Sequence, residues 1–187
     1  MLALSLVWLL PYLQVVLGWS AVQSGRAYSL IMAASIAVNL LIAWITQSLI
    51  AKGGNPLAIR LRMAIIVLGT AGLTLVLIQL PFWPPMWRMA FVAVSMMLVP
   101  AINSIVPVLL AHIVAGPGST VVIAVDNSVA SLAAIIAPVV MGHLVQGSHG
   151  GTGYETAFAS SGLVMLLAAA LGWMLVLPQW RLRDKGR

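Results

Sequence analysis

Long apolar stretches fill this chain almost from end to end, and only short polar or Gly-Pro turns separate them. A helix needs roughly 20 mostly apolar residues to cross a bilayer, and on that measure the spans fall at about 1–17, 27–51, 61–80, 89–114, 121–146 and 156–178. The chain is 62% hydrophobic and 6% charged, and its acids are Asp126, Glu155 and Asp184. A soluble domain carries about 25% charged residues, so this chain could not cover a water-facing surface. The expected fold is an all-α membrane protein, a single transmembrane domain of six helices.

The net charge of +6 does not point to nucleic acid. The cations lie in short loops and a tail between apolar spans, not on a solvated patch. They read as topology and as contact with membrane lipid headgroups. There is no Cys, which removes disulfides, thiolate metal sites and a Cys nucleophile. His112, His143 and His149 show no metal-ligand spacing, and neither a Gly-rich phosphate loop nor a nucleophile elbow is present. No enzyme, cofactor or metal is expected.

The most polar interruption is W-I-T-Q-S-L-I-A-K-G-G-N-P-L-A-I-R-L-R, residues 44–62. Lys52, Arg60 and Arg62 lie in it with no acid nearby. Cations beside short spans resist translocation, so the loop at 52–60 is expected in the cytoplasm. The turn at 115–120 and the tail at 179–187 fall on the same side. That side carries Lys52, Arg60, Arg62, Arg181, Arg183, Lys185 and Arg187, and the other carries Arg26 and Arg88. Both termini are therefore expected in the cytoplasm, with the chain in the cell (inner) membrane.

Residues 1–17 are short for a span and have neither a basic leader nor a small-x-small site; the expectation is a span whose beginning is clipped. Trp8 and Tyr12 share a face there. In the second span Tyr28, Ser35, Asn39 and Thr46 form one polar stripe, read either as interhelical hydrogen bonding or as the lining of an aqueous path. P-F-W-P-P-M-W-R, residues 81–88, suits the opposite interface. Pro100, Asn103, Ser104 and Pro107 lie on one face of the fourth span, where a Pro-broken ladder makes either a moving part or a static kink. Asp126 is the one acid inside a predicted span, which makes it a functional hypothesis. Asn127, Ser131, Ala134 and Pro138 continue a small, polar face. G-S-H-G-G-T-G-Y-E, 147–155, reads as a flexible external turn. The third and sixth spans carry few polar groups and are expected to face lipid.

Four segments carry a resemblance. P-Y-L-Q-V-V-L-G-W-S-A-V-Q-S-G at 11–25 resembles the first helix-to-loop passage in the C-terminal half of a major facilitator superfamily transporter. The 44–62 loop is similar to the cytoplasmic motif of the anion:cation symporter group, roughly W-L-S-D-R-L-x-x-R-G-x-S-L-x-x-A-R-x-L. Trp44, Leu49, Gly53, Leu57 and Arg60 keep its frame. Gln47 and Ser48 replace its Asp and Arg, removing charges that in the family help stabilise one face-state. N-S-V-A-S-L-A-A-I-I-A-P-V-V-M-G at 127–142 and G-Y-E-T-A-F at 153–158 resemble the last two helices of the same group.

The resemblance implies one six-helix half of a major facilitator fold, with peripheral third and sixth helices. It implies proton-coupled symport of a small organic anion such as a sugar acid or carboxylate. An Asn at the position of Asn127 contributes to the cavity in that group, whereas Asn103 and Ser104 stand where it commonly has an aromatic pair. The expected substrate-binding residues are Tyr12, Asn39, Asn103, Ser104, Asn127 and Ser131, with Asp126 as the proton-coupling candidate and Trp44, Gly53 and Arg60 as the loop motif. A full transporter has two such halves, so the expected partner is a second half or a homodimer. The alternatives are a transport-incompetent fragment and a membrane assembly subunit that pairs with another half.

The absence of native Cys makes topology directly testable. Lys52→Cys should react with a membrane-impermeant maleimide only from the cytoplasmic side, and Pro84→Cys only from the other. Labelling of both from one side would overturn the six-span count.

Overall fold

In the computed structural model the described residues are 2–114, 116, 118–147 and 152–184, with side chains described within 7–174. Outside them lie part of the turn expected at 147–155, Ala115 and Pro117 of the turn at 115–120, and the side chains of the cationic tail. Among the described residues the chain forms six helices and no strand: α1 Leu2–Val15, α2 Ala21–Ala51, α3 Pro56–Leu77, α4 Pro85–Ile113, α5 Gly118–Gln146 and α6 Thr152–Asp184. Five of them, α2 to α6, are long and apolar enough to cross a membrane. At 14 residues, α1 reaches only about 21 Å against a hydrocarbon core of about 30 Å. The architecture is that of a multi-pass helical membrane protein.

Local chemistry sets the helix starts. Ser20 caps α2 by accepting from the Gln23 N–H at 3.2 Å, while Gln23 Oε1 accepts from the Ser20 N–H at 3.0 Å. This reciprocal capping box starts the helix six residues before the span that hydropathy marks. Asn55 caps α3 by accepting from the N–H groups of Leu57 and Ala58, and Pro56 takes the first helical position, where no N–H is needed. Gly53 between these helices has φ +89, a left-handed conformation open to glycine. Thr152 to Glu155 belong to α6 and not to an external turn.

The tightest packing joins α3 and α6, and glycine makes it possible. A Cβ built on Gly72 would lie 2.7 Å from the Gly162 carbonyl oxygen, and one built on Gly162 would lie 2.7 Å from the Gly72 oxygen. Helices attract one another in lipid through such close backbone approach, because lipid supplies no hydrophobic drive between them. Gly69 facing Ala169 and Gly172 facing Ile65 extend the antiparallel contact. The sixth helix therefore has two faces. Ala157, Phe158, Met165 and Ala169 are buried, and Leu163, Val164, Leu167 and Leu171 are exposed. α3 also packs on α4, and α4 on α2.

The core lies where α1, α3, α4 and α6 meet, around Leu9, Tyr12, Leu75, Val92, Met96 and Phe158. A smaller cluster of Ile42, Val67, Ala101, Ile105 and Leu109 joins α2, α3 and α4. α5 is the least buried helix, with Met141 its only buried residue. A polar stripe thus does not mark an inward-facing helix here, nor a plain surface a peripheral one.

Arg88 closes one end of the bundle. It donates from Nη1 to Glu155 Oε1 at 2.6 Å, from Nε to the Trp83 carbonyl at 3.0 Å and from Nη2 to the Pro81 carbonyl at 3.4 Å. Glu155 is buried. A carboxylate there is tolerated because it is paired. Trp83 packs edge-on against Phe91, with ring centroids 5.2 Å apart, while Phe82 and Trp87 stay exposed, as aromatics do at an interface.

Gly72→Ala and Gly162→Ala should each force the helices apart and cost about 1–3 kcal/mol, read as a lowered Tm in detergent. Gly25→Ala, where nothing lies within 4 Å, should be neutral or slightly stabilising. Arg88→Gln should strand the Glu155 carboxylate at a cost of about 2 kcal/mol, and adding Glu155→Gln should recover part of it. An unchanged Tm in Arg88→Gln would show that the pair holds nothing.

Candidate functional site

Midway along α2 the polar stripe divides by what each side chain does. Ser35 donates its hydroxyl to the Met32 carbonyl at 2.7 Å, and Thr46 to the Ile42 carbonyl at 2.7 Å. Both are satisfied within their own helix and make no hydrogen bond to another. Asn39 is different. Among the described residues its amide has no hydrogen-bond partner, and it opens into a groove of about 110 Å³ between α2, α4 and the start of α3. Gln47 joins it from α2, Ser104 from α4 and Arg60 from α3. Buried Ile42, Ala101 and Ile105 form the apolar part of the lining. That volume admits about three or four waters or one small carboxylate.

Arg60 lines this groove because α3 begins early. With Pro56 as the first helical residue, Arg60 lies one turn inside the helix and not in the loop assigned from hydropathy. Its Nη1 lies 3.3 Å from Nε2 and 3.4 Å from Nδ1 of His112. His112 Nδ1 also lies 3.0 Å from the Val108 carbonyl oxygen. A carbonyl can only accept, so Nδ1 carries the hydrogen and the Nε2 lone pair is left for the guanidinium. The contact joins the start of α3 to the end of α4. The groove therefore presents a guanidinium, two carboxamides and the Ser104 hydroxyl above an apolar lining, with the Thr46 hydroxyl turned back onto its own helix. This set can hold a small anion by charge-assisted hydrogen bonds and orient it by the amides.

The other residues singled out in the sequence lie elsewhere. Tyr12 is fully buried among aromatic rings, 5.4 Å from Phe158 and 6.3 Å from Tyr154 by ring centroids. Among the described residues its hydroxyl has no partner. Asn103, beside Ser104, is exposed and does not line the groove. Asn127 and Ser131 are exposed on α5, where the Ser131 hydroxyl donates to the Asn127 carbonyl at 2.8 Å. Asp126 is half-buried and, among the described residues, makes no ion pair or hydrogen bond. Trp44 is exposed, and Gly53 turns the chain into the cap of α3. The structure thus brings Asn39, Ser104 and Arg60 together and leaves Tyr12, Asn103, Asn127, Ser131 and Asp126 outside that groove.

Sequence reasoning missed Gln47 as a groove residue and Glu155 as a structural acid. For Arg60 the signal was present: Asn55-Pro56 is a cap followed by a first-turn proline, which places position 60 on a helix. No family model, curated protein or solved structure matches this chain. The likeness to the major facilitator superfamily rests on the motif residues quoted above.

Proposed function

We propose that this chain is one half of a secondary active transporter, carrying a small organic anion in proton-coupled symport as part of a two-half assembly. The observation that carries the reading is the groove. Asn39 brings an unpartnered amide to the middle of a membrane-spanning helix, Ser104 joins it from the next helix, and Arg60 supplies positive charge at the end toward the α2–α3 loop. An unsatisfied amide in a bilayer is costly unless it meets water or a ligand. The likeness to the anion:cation symporter group agrees with this in ligand charge. In this reading Asp126 is the titrating group, both termini lie in the cytoplasm of the inner membrane, and alternating access comes from rocking against a second half.

A specific observation favours a second reading, an assembly subunit. Asn103, Asn127, Ser128 and Ser131 stand exposed on α4 and α5. The two serine hydroxyls donate within their own helix, but among the described residues the Asn103 and Asn127 amides have no hydrogen-bond partner, and hydrocarbon cannot solvate them, so another protein surface or a water-filled cavity must cover them. Both readings share that requirement, and they differ in whether the groove binds a ligand.

Uptake of labelled organic acids into vesicles separates them, measured with this chain alone and with it fused to a matching six-helix half. Saturable, pH-dependent uptake is expected. Asn39→Ala and Ser104→Ala should each lower it about tenfold, the loss of one hydrogen bond to a charged group. Asp126→Asn should flatten its pH dependence. Undiminished uptake in Asn39→Ala would remove the groove from the mechanism, and no uptake in either form would leave the assembly reading.

A further inference from the structure

Arg60 and Arg62 lie two residues apart on α3, about 200° around the helix, and they serve different surfaces. Arg62 lines a second, larger groove of about 520 Å³, formed by the last turn of α2, the loop and the outer side of α3. Lys52 and Asn55 line it too. Among the described residues no acid lines this groove, and neither the Lys52 ammonium nor the Arg62 guanidinium has a hydrogen-bond or ion-pair partner. Asn55 spends its side-chain oxygen on capping α3, which leaves the amide N–H₂ group to donate. The polar lining is thus a set of donors without a charged acceptor, the complement of a phosphate.

The rest of the lining says what that phosphate is attached to. Ile59, Met63 and Ile66 fall at i, i+4 and i+7 of α3, one apolar stripe that leads from the cations toward the middle of the helix. Leu49 faces it from α2. Ile66 and Leu49 are exposed, so the stripe is open to whatever lies beside the helix. Inorganic phosphate has no use for such a seat. A molecule with a phosphate at one end and a hydrocarbon chain at the other uses both parts.

We propose that Lys52, Asn55 and Arg62 bind the phosphate of an anionic phospholipid whose acyl chain lies along Ile59, Met63 and Ile66. The site is specific in stoichiometry and place, unlike the diffuse attraction of basic loops to a charged surface. It is separate from the Arg60 groove and does not depend on transport. Gly54 lets the loop lie close over it, since a Cβ there would run into Ile59 and the Leu49 carbonyl.

Native mass spectrometry of the purified chain, with phosphatidylglycerol and phosphatidylcholine of the same acyl chains, tests the assignment. The unaltered protein should retain one phosphatidylglycerol in preference to phosphatidylcholine. Lys52→Gln and Arg62→Gln should each weaken that retention about fivefold. Met63→Trp, which keeps both charges and fills the seat, should weaken it as well. Arg26→Gln, at the other end of the bundle, should not. Equal retention of the two lipids by the unaltered protein would overturn the site without recourse to any variant, as would full retention in Lys52→Gln/Arg62→Gln. Displacement of the lipid by millimolar inorganic phosphate would reassign the groove to a free anion.

Discussion

Helices already inside a membrane gain nothing from hiding apolar side chains from one another, because lipid is as apolar as leucine. What remains is contact, and contact improves as backbones approach. The meeting of Gly72 and Gly162 is the point on which this bundle turns. With each Cβ position occupied by the other helix's carbonyl oxygen at 2.7 Å, α3 and α6 lie closer than any pair of larger residues would permit. α3 carries that anchorage to α4, and α4 carries it to α2. The groove between α2, α4 and the start of α3 is therefore positioned by a contact made on the far side of α3.

Hydropathy made the membrane class and the helical fold legible, because the bilayer admits few alternatives. Element boundaries were less legible. Caps such as Ser20 with Gln23, and Asn55 with Pro56, are polar residues inside what reads as a loop, so averaging over apolarity hides them. Packing faces were least legible. A Gly-rich apolar helix such as α3 reads as plain, and plainness suggests lipid. In a bilayer the small residue is the adhesive one, so α3 and α6 form the tightest pair, while α5, with its polar stripe, is the most exposed helix.

The candidate site shows the same division. Asn39 and Ser104 were recognisable because an amide or hydroxyl at mid-span stands out against an apolar background. Tyr12 stood out for the same reason, yet it belongs to an aromatic cluster with Tyr154 and Phe158. Periodicity along one helix cannot say which neighbour a side chain will meet. Glu155 was passed over because it follows a run of glycines. Only the fold brings it to Arg88, sixty-seven positions earlier.

The two ends of the bundle treat their charges in opposite ways. At the Arg88 end the guanidinium is consumed internally, by a carboxylate and two backbone carbonyls, and needs nothing from outside. At the other end, among the described residues, Lys52 and Arg62 have no partner and Arg60 has only the His112 ring. An uncompensated cation beside hydrocarbon seeks an anion, and among the described residues no acid lies against these cations. Among the described residues the positive charges of the α2–α3 connection are thus without an anionic partner. The arrangement divides them between two surfaces: Arg60 toward the groove among α2, α3 and α4, and Lys52 with Arg62 toward the larger groove beside the loop. A ligand in the first and a phospholipid in the second would be held by the same turn of backbone, the one that Gly53 bends and Asn55 caps.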